Sequence, residues 1–269
     1  MSKLRDRDSD KRANNAAGRD FSEALARGLA VIQVFNLSQP ALSLSDIARA
    51  VDLPRATVRR TLLTLVDLGF MAENGRLYSL QPSILKLAAA YLGANPITAI
   101  LQPLCEKLAQ ELQATFSVAI LDGKEAVMVA YASPRNAQVY GVIEGIGLRL
   151  PAFCSAVGRV LLAGLEQSVV MNFLNSCIFE KITIHTITEK KKIQNILEKT
   201  KKDGYALVDQ EAEIGYRSLA VPLYRKDGCH IAALNVGLRV EQANTETMKN
   251  IFLPRLISEA ENIRNQLLK

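Results

Sequence analysis

Apolar residues recur at helical spacing at the start of the folded chain. Phe21, Leu25, Leu29, Ile32 and Phe35 fall on one stripe of residues 21–37. Gln39-Pro40 breaks that helix. The next stretch, LSLSDIARAVDLPRATVRRTLLTLVDLGFMAENGRLYSL over 42–80, carries the sharpest local pattern. Ser43 or Ser45 can cap a short helix holding Ile47, Ala48 and Val51, with Asp46 in its first turn, where the helix dipole favours an anion. Asp52-Leu53-Pro54 reads as a turn, and Pro54 suits the start of a helix over about 54–68. That helix places Val58, Leu62, Leu65 and Leu68 on its apolar stripe and Arg55, Thr57, Arg59 and Arg60 on the other face. Gly69 ends it. Two short strands, 70–72 and 77–80, flank Glu73-Asn74-Gly75-Arg76, and Asn-Gly is a strong hairpin signal.

Residues 82–94 (PSILKLAAAYLGA) are apolar almost all round, with Lys86 the single charge. Such a helix must bury itself against something, either inside its own chain or against a second subunit. Beyond it, a helix over 97–113 precedes strand-like runs at 115–121, 126–131 and 138–143. Helices follow at 155–164, 166–175 and 189–203, then strands at 217–224 and 230–236, then a last helix at 245–268. Ile251, Leu253, Leu256, Ile257, Ile263 and Leu267 mark the apolar positions of that helix. Hairpin-linked strands with helices between and at the ends predict an α+β domain on an antiparallel sheet.

The 269 residues suit two domains of ordinary size. Hydrophobic residues at 49% and charged residues at 22% exclude a disordered chain. No apolar run reaches the roughly 18 residues of a membrane span, and the polar N-terminus lacks the apolar core of a signal peptide, so a cytoplasmic protein with no membrane partner is expected. Four scattered cysteines and two histidines offer neither a zinc site nor a disulfide framework; no metal and no cofactor is expected. The net charge of +6 (33 − 27) permits a nucleic-acid partner without demonstrating one. Residues 1–19 hold six cations against three acids, reading as a disordered arm that is either a solvated tail or a strand of charge along a nucleic-acid backbone.

Helix, tight turn, helix and hairpin is the order of a winged helix-turn-helix, whose second helix enters the major groove with its N-terminal residues at base edges and phosphates. Arg55, Thr57, Arg59 and Arg60 would then face operator DNA, with Arg76 reaching out from the wing. In the second half, Ser155–Gly158 opens a helix after Pro151, and free N–H groups at a helix start attract carboxylates. Arg149 or Arg135 could pair with a carboxylate. Cys154 reads as a packed thiol or a pocket wall, and His185, between threonines, as a surface residue.

Three stretches resemble the IclR family of bacterial transcription regulators. They are LSLSDIARAVDLPRATVRRTLLTLVDLGF, GLRLPAFCSAVGRVLLA (147–163) and GYALVDQEAEIGYRSLAVPLYRKDGCHIAALNVG (204–237). The second and third look most similar to the branch that governs catabolism of hydroxylated aromatic acids. The resemblance implies a winged helix-turn-helix joined by a linker helix to a GAF-like effector-binding domain with an antiparallel sheet. It implies a homodimer that can pair into a homotetramer on DNA, and a small aromatic carboxylate as effector. Matched by motif, the effector pocket would be lined by Phe153, Cys154, Ser155 and Ala156, by Asp209 and Glu211, by Ser218 and Ala220, and by Asn235 and Gly237. Asp209 and Glu211 would hydrogen-bond a phenol or backbone. The expected division is an arm over 1–20, the DNA-binding domain over 21–81, the linker helix over 82–95 and the effector domain over 96–269. An effector that is a short aliphatic carboxylate or a pathway intermediate is the alternative within the family. A ligand-independent DNA-binding protein is the second, and an enzyme using Cys154 the third. The enzyme lacks a histidine in motif context to serve as base.

Overall fold

The computed structural model describes residues 20–36, 38–94, 96–134 and 145–267. The expected arm over 1–19, the strand at 138–143 and Arg135 fall outside the described residues. The chain forms two compact units that divide between Ala90 and Tyr91.

The first unit opens with helix α1 (Glu23–Gln33), capped by the Ser22 side chain, which accepts from Leu25 N at 3.4 Å. Only Val31 of α1 is fully buried, while Leu25 and Leu29 of the expected stripe are 63% and 46% exposed. The core of this unit meets one row of α1, so a second apolar row stays uncovered. Strand β1 (Ala41–Ser43), too short for its alternation to show in the sequence, precedes α2 (Leu44–Ala50). Ser43 is the cap: its hydroxyl accepts from Asp46 N at 3.3 Å and donates to Asp46 Oδ2 at 2.6 Å. That bond also holds the half-buried Asp46 carboxyl below its ordinary pKa. A tight turn through Asp52 (φ 51°) leads to α3 (Arg55–Asp67). Val58, Leu62 and Leu65 of α3 pack with Val31, Ile47 and Met71, and each such side chain contributes about 1.5–3 kcal/mol on burial. Leu68, expected on that stripe, is 60% exposed, because the helix ends at Asp67 and the chain turns through Gly69 (φ +72°). Strands β2 (Met71–Asn74) and β3 (Leu77–Leu80) form the hairpin, and β1 pairs with the far side of β3, giving the antiparallel order β1-β3-β2. Pro82–Ile84 then makes a 3₁₀ turn into α4 (Leu85–Ala94), which has no buried residue.

The second unit is built on a six-stranded antiparallel sheet in the order β6-β5-β4-β9-β8-β7. Its strands are β4 (Thr115–Asp122), β5 (Glu125–Ala132), β6 (Arg149–Pro151), β7 (Ala206–Asp209), β8 (Tyr216–Tyr224) and β9 (His230–Arg239). The edge strands β6 and β7 were not expected from the sequence; three and four residues are too few to show a period. Alternation along the strands gives the sheet two apolar faces. Phe116, Val118, Leu219, Val221, Leu234 and Val236 pack with α5 (Pro96–Leu112) and the C-terminal helix α9 (Leu253–Arg264). Ala119, Met128, Ala220 and Ala233 face α6 (Ala156–Ala163) on the other side. Helices α7 (Gln167–Ser176) and α8 (Lys190–Asp203) complete that layer around Phe153, Leu162, Phe173 and Ile193. The expected single helix at 245–268 is interrupted by a π-turn at Met248–Phe252, and Ile251 and Ile257 of its stripe are 57% and 42% exposed. Leu253, Leu256, Ile263 and Leu267 carry its packing. Among the described residues no single helix is long and apolar enough to cross a membrane.

Candidate functional site

The first candidate surface belongs to α3 and the wing. Because Val58, Leu62 and Leu65 turn inward, Arg55, Arg59 and Arg60 stand exposed on the opposite side, with Thr57 half-buried between them. Helix α3 has no acid in its first turn, and Pro54 precedes it, so its positive end stays uncompensated. Thr61 and Thr64 turn their hydroxyls back onto the carbonyls of Thr57 and Arg60. Arg76 is exposed at the wing turn, where Gly75 takes the positive φ (+63°) that the tight turn needs. Tyr78 anchors the wing, its hydroxyl donating to Glu73 Oε1 at 2.7 Å. Among the described residues no carboxylate lies within ion-pair distance of Arg55, Arg59, Arg60 or Arg76. Four unpaired guanidiniums on one helix-and-hairpin unit form a surface suited to phosphates and guanine edges.

The second candidate is a cavity of about 190 Å³ in the second unit, at one end of the sheet on the α6 side. Met128, Leu148 and Leu150 give it an apolar wall. Thr115 and Ser117 of β4, Asn235 of β9 and Ser218 of β8 supply polar groups. The start of α6 closes another side with Ser155, Ala156 and Val157, and Ala212, Glu213 and Tyr216 come from the loop before β8. The approach of α6 is close: a Cβ on Gly158 would run into the backbone of Ala152. Ser155 caps α6 by accepting from Gly158 N at 3.2 Å, and its own hydroxyl donates to Pro151 O at 3.0 Å. Its hydrogen is therefore engaged. What α6 offers a ligand is the backbone N–H groups of its first turn that Ser155 does not cap, and the positive end of its dipole.

The polar side has its own network. Asn235 Nδ2 donates to Ser117 Oγ at 3.3 Å, while Asn235 Oδ1 is buried and has no partner among the described residues. Thr115 Oγ1 lies 3.0 Å from Ser133 Oγ, which lies 2.8 Å from the Tyr131 hydroxyl on the same wall.

Of the residues expected around an effector, Ser155, Ala156, Ser218 and Asn235 line this cavity. The others do not. Arg149 is exposed on β6, ion-paired to Asp122 (2.6 Å) and Glu125 (2.7 Å), since the edge strand turns it outward. Phe153 packs edge-on against Phe179 with centroids 5.2 Å apart, behind α6. Cys154 is buried in the same cluster, and burial pushes its thiol pKa up to about 12, which disfavours the thiolate. Asp209 pairs with Arg217 across the β7–β8 ladder at 2.9 Å. Glu211 is buried and takes Arg159 bidentately at 2.7 and 2.8 Å while accepting from Ile187 N at 3.1 Å. Ala220 is fully buried beneath α6. Gly237 makes room for the Tyr216 ring, which a Cβ there would strike. His185 is exposed.

Sequence reasoning missed Thr115, Ser117, Met128, Tyr131, Leu148, Leu150, Val157, Ala212, Glu213 and Tyr216. A signal existed for Thr115 and Ser117, polar residues recurring at period two in an otherwise apolar strand. The apolar wall carried none, because Met128 and the leucines look like any core. A second hollow of about 210 Å³ lies between the C-terminal ends of α6 and α8, against His230, whose Nε2 is 3.0 Å from Ala232 O and whose pKa is lowered by burial. Among the described residues no group of three or more His, Cys, Asp or Glu side chains is placed to hold a metal ion.

Comparison with known proteins bears on both surfaces. Residues 24–75 match the IclR helix-turn-helix domain, and residues 89–265 match the bacterial transcriptional regulator IclR C-terminal domain. The Pca regulon regulatory protein of Pseudomonas putida is 35% identical over 251 residues, covering 92% of this chain and 85% of that protein. The crystal structure of an IclR family transcriptional regulator from Brucella abortus superposes with a TM-score of 0.78 at 30% identity, covering 93% of this chain and 96% of that one. The inducer-binding domain of a PobR double mutant from Acinetobacter, crystallised with 3-hydroxybenzoic acid, superposes with a TM-score of 0.59 at 28% identity, covering 63% of this chain and 98% of that one.

Proposed function

Because the chain belongs to the IclR family and is a ligand-responsive transcription regulator, we propose that it controls an aromatic-acid catabolic operon and that its effector is a hydroxybenzoate held in the cavity beside α6. The observation that carries this reading is the cavity's construction: an apolar wall of Met128, Leu148 and Leu150, with a helix N-terminus and a set of hydroxyl and amide groups also at its surface. A flat ring with a carboxylate and a phenol matches that inventory. The carboxylate sits at the N–H groups of α6, the ring lies against Met128 and the leucines, and the hydroxyl meets Ser117, Asn235 or Thr115. A short aliphatic carboxylate would leave the apolar wall uncovered.

On the DNA side, Arg55 and Arg59 read base edges, Arg60 and Arg76 hold phosphates, and Thr57 supports the contact from the same face. The protein acts as a homodimer in the cytoplasm, two dimers pairing on the operator. Leu25 and Leu29 of α1 and Leu85, Leu87 and Tyr91 of α4 are exposed apolar residues that a second copy would cover. The arm over 1–20, the DNA-binding domain over 21–81, the linker helix over 82–95 and the effector domain over 96–269 are the functional divisions of this reading. Effector binding shifts the protein between arrangements of the dimer only by the difference in its affinity for them.

A thermal-shift series with benzoate, the hydroxybenzoates, protocatechuate and short aliphatic acids tests the effector class. Ligand at about 100 times its Kd adds about 2.7 kcal/mol to stability. Stabilisation by hydroxybenzoates is expected; stabilisation by aliphatic acids alone overturns the aromatic reading.

A further inference from the structure

Asn235 sits at the centre of the sheet. Its backbone pairs with Ser117 on β4 and with Ala220 on β8, so strand partners on both sides fix where its side chain starts. The side chain lines the cavity and is only 6% exposed. Its amide hydrogen-bonds one way: Nδ2 donates to Ser117 Oγ, itself 2% exposed. The other end, Oδ1, is out of solvent with no partner among the described residues. A buried carbonyl without a donor is costly, and buried acceptors in proteins are nearly always paired.

Resting on the effector reading above, we propose that Asn235 is the specificity-determining residue of the cavity and that its unpaired Oδ1 requires a hydrogen-bond donor on the ligand. A phenolic O–H satisfies it. A methyl group, an ether oxygen or a carboxylate cannot, and a carboxylate would meet repulsion from the carbonyl. The same requirement orients the ligand: the donor goes to Asn235, and the anion goes to the first turn of α6. Discrimination against a ligand without the donor then comes from leaving Oδ1 unpaired, which is worth about tenfold to hundredfold in affinity. Shape alone discriminates poorly between a hydroxyl and a methyl group.

The test is calorimetric titration of the full-length protein with size-matched acids: 3- and 4-hydroxybenzoate, 3- and 4-methylbenzoate, and 4-methoxybenzoate. The wild-type protein is expected to bind at least one hydroxybenzoate about tenfold to hundredfold more tightly than its methyl counterpart. Asn235→Leu, similar in volume and checked for folding by circular dichroism, is expected to bind the two equally or to prefer the methyl acid. Equal wild-type affinity for hydroxy and methyl acids overturns the proposal and leaves the aromatic-acid reading standing. Retention of the hydroxyl preference by Asn235→Leu also overturns it, because the hydroxyl is then read elsewhere. Preference for the methoxy acid would show that the site asks for an acceptor, with the same result. No binding of any benzoate defeats the effector reading first and this proposal with it. The wild-type series keeps the proposal falsifiable if Asn235→Leu does not fold.

Discussion

Glu211→Ala isolates the buried ion pair that ties the cavity together. Glu211 and Arg159 have side chains only 8% and 3% exposed. Glu211 grips both Nη atoms of Arg159, accepts from Ile187 N, and through its backbone carbonyl accepts from the Thr186 hydroxyl at 2.6 Å. Arg159 Nε donates to Phe153 O at 2.9 Å. The pair thus joins α6, whose first turn lines the cavity, to the loop that brings Ala212, Glu213 and Tyr216 to it. Truncating Glu211 strands a buried guanidinium with Phe153 O as its remaining partner. Removing one member of a buried pair costs about 3–5 kcal/mol. For a unit of this size each kcal/mol moves the Tm by about 2–4 °C, so a fall of about 6–20 °C is expected. Hydroxybenzoate affinity should weaken as well, because the loop loses its anchor. Replacing both residues, with Arg159→Met and Glu211→Leu together, should recover most of the stability, since no charge is left buried. The surface control, Arg149→Ala, should cost about 0–1 kcal/mol. Differential scanning calorimetry measures all three. A Glu211→Ala protein within about 1 kcal/mol of wild type would refute the argument, as would a double variant less stable than the single one.

Arg55→Ala and Arg59→Ala should each cost about 1–3 kcal/mol of discrimination between operator and random DNA if they read bases; equal losses on both DNAs in anisotropy titrations would assign them to phosphate instead. Burial lowers the pKa of His230 below 6.5 in the folded protein, so as pH falls below about 6.5 the unfolded chain takes up this proton first. His230 therefore withdraws stability with falling pH until it titrates in the folded state. His230→Gln should flatten denaturation midpoints in that window, and an unchanged profile would show that burial does not hold the ring neutral. Cys229 is exposed and Cys105 and Cys154 are buried, both of the latter with pKa pushed up to about 12 by burial. Iodoacetamide at pH 8 should mark Cys229 first and reach Cys105 and Cys154 only on unfolding, as peptide mass mapping would show.

The DNA-binding half was largely legible along the chain because its signals are local. Val58, Leu62 and Leu65 recur at helical spacing, Ser43 stands three residues before Asp46 N, and Asn74-Gly75 marks the hairpin turn where β2 ends. Each is settled within a few residues by capping, turn geometry or period. The stripe of α1 was only partly legible for the opposite reason: Ile32 and Phe35 pack against the core, while Leu25 and Leu29 do not. Leu25 and Leu29 match a helical stripe as well as Val31 does, and only packing shows which row meets the core. The cavity was half legible. Motif similarity pointed to Ser155, Ala156, Ser218 and Asn235, and these do line it. The same stretches also held Phe153, Cys154, Asp209, Glu211 and Ala220, which face other neighbours.

By itself, the sequence determined most of the longer helices and strands, the helix-turn-helix with its wing, the antiparallel α+β character of the second half, and the arginine face of α3, while the short strands β1, β6 and β7 escaped it. Those follow from periodicity, caps and turns, which act over one or two helical turns or a single hairpin. Only the tertiary structure decided which polar groups share a cavity. Ser117 and Asn235 are 118 residues apart and meet because β4 pairs with β9; Arg159 and Glu211 are 52 apart and meet in the packing around α6. A carboxylate looks the same in the sequence whether it will bind a ligand or neutralise a buried arginine. The difference is made by what the fold sets against it, through burial and hydrogen bonds between residues distant in the chain.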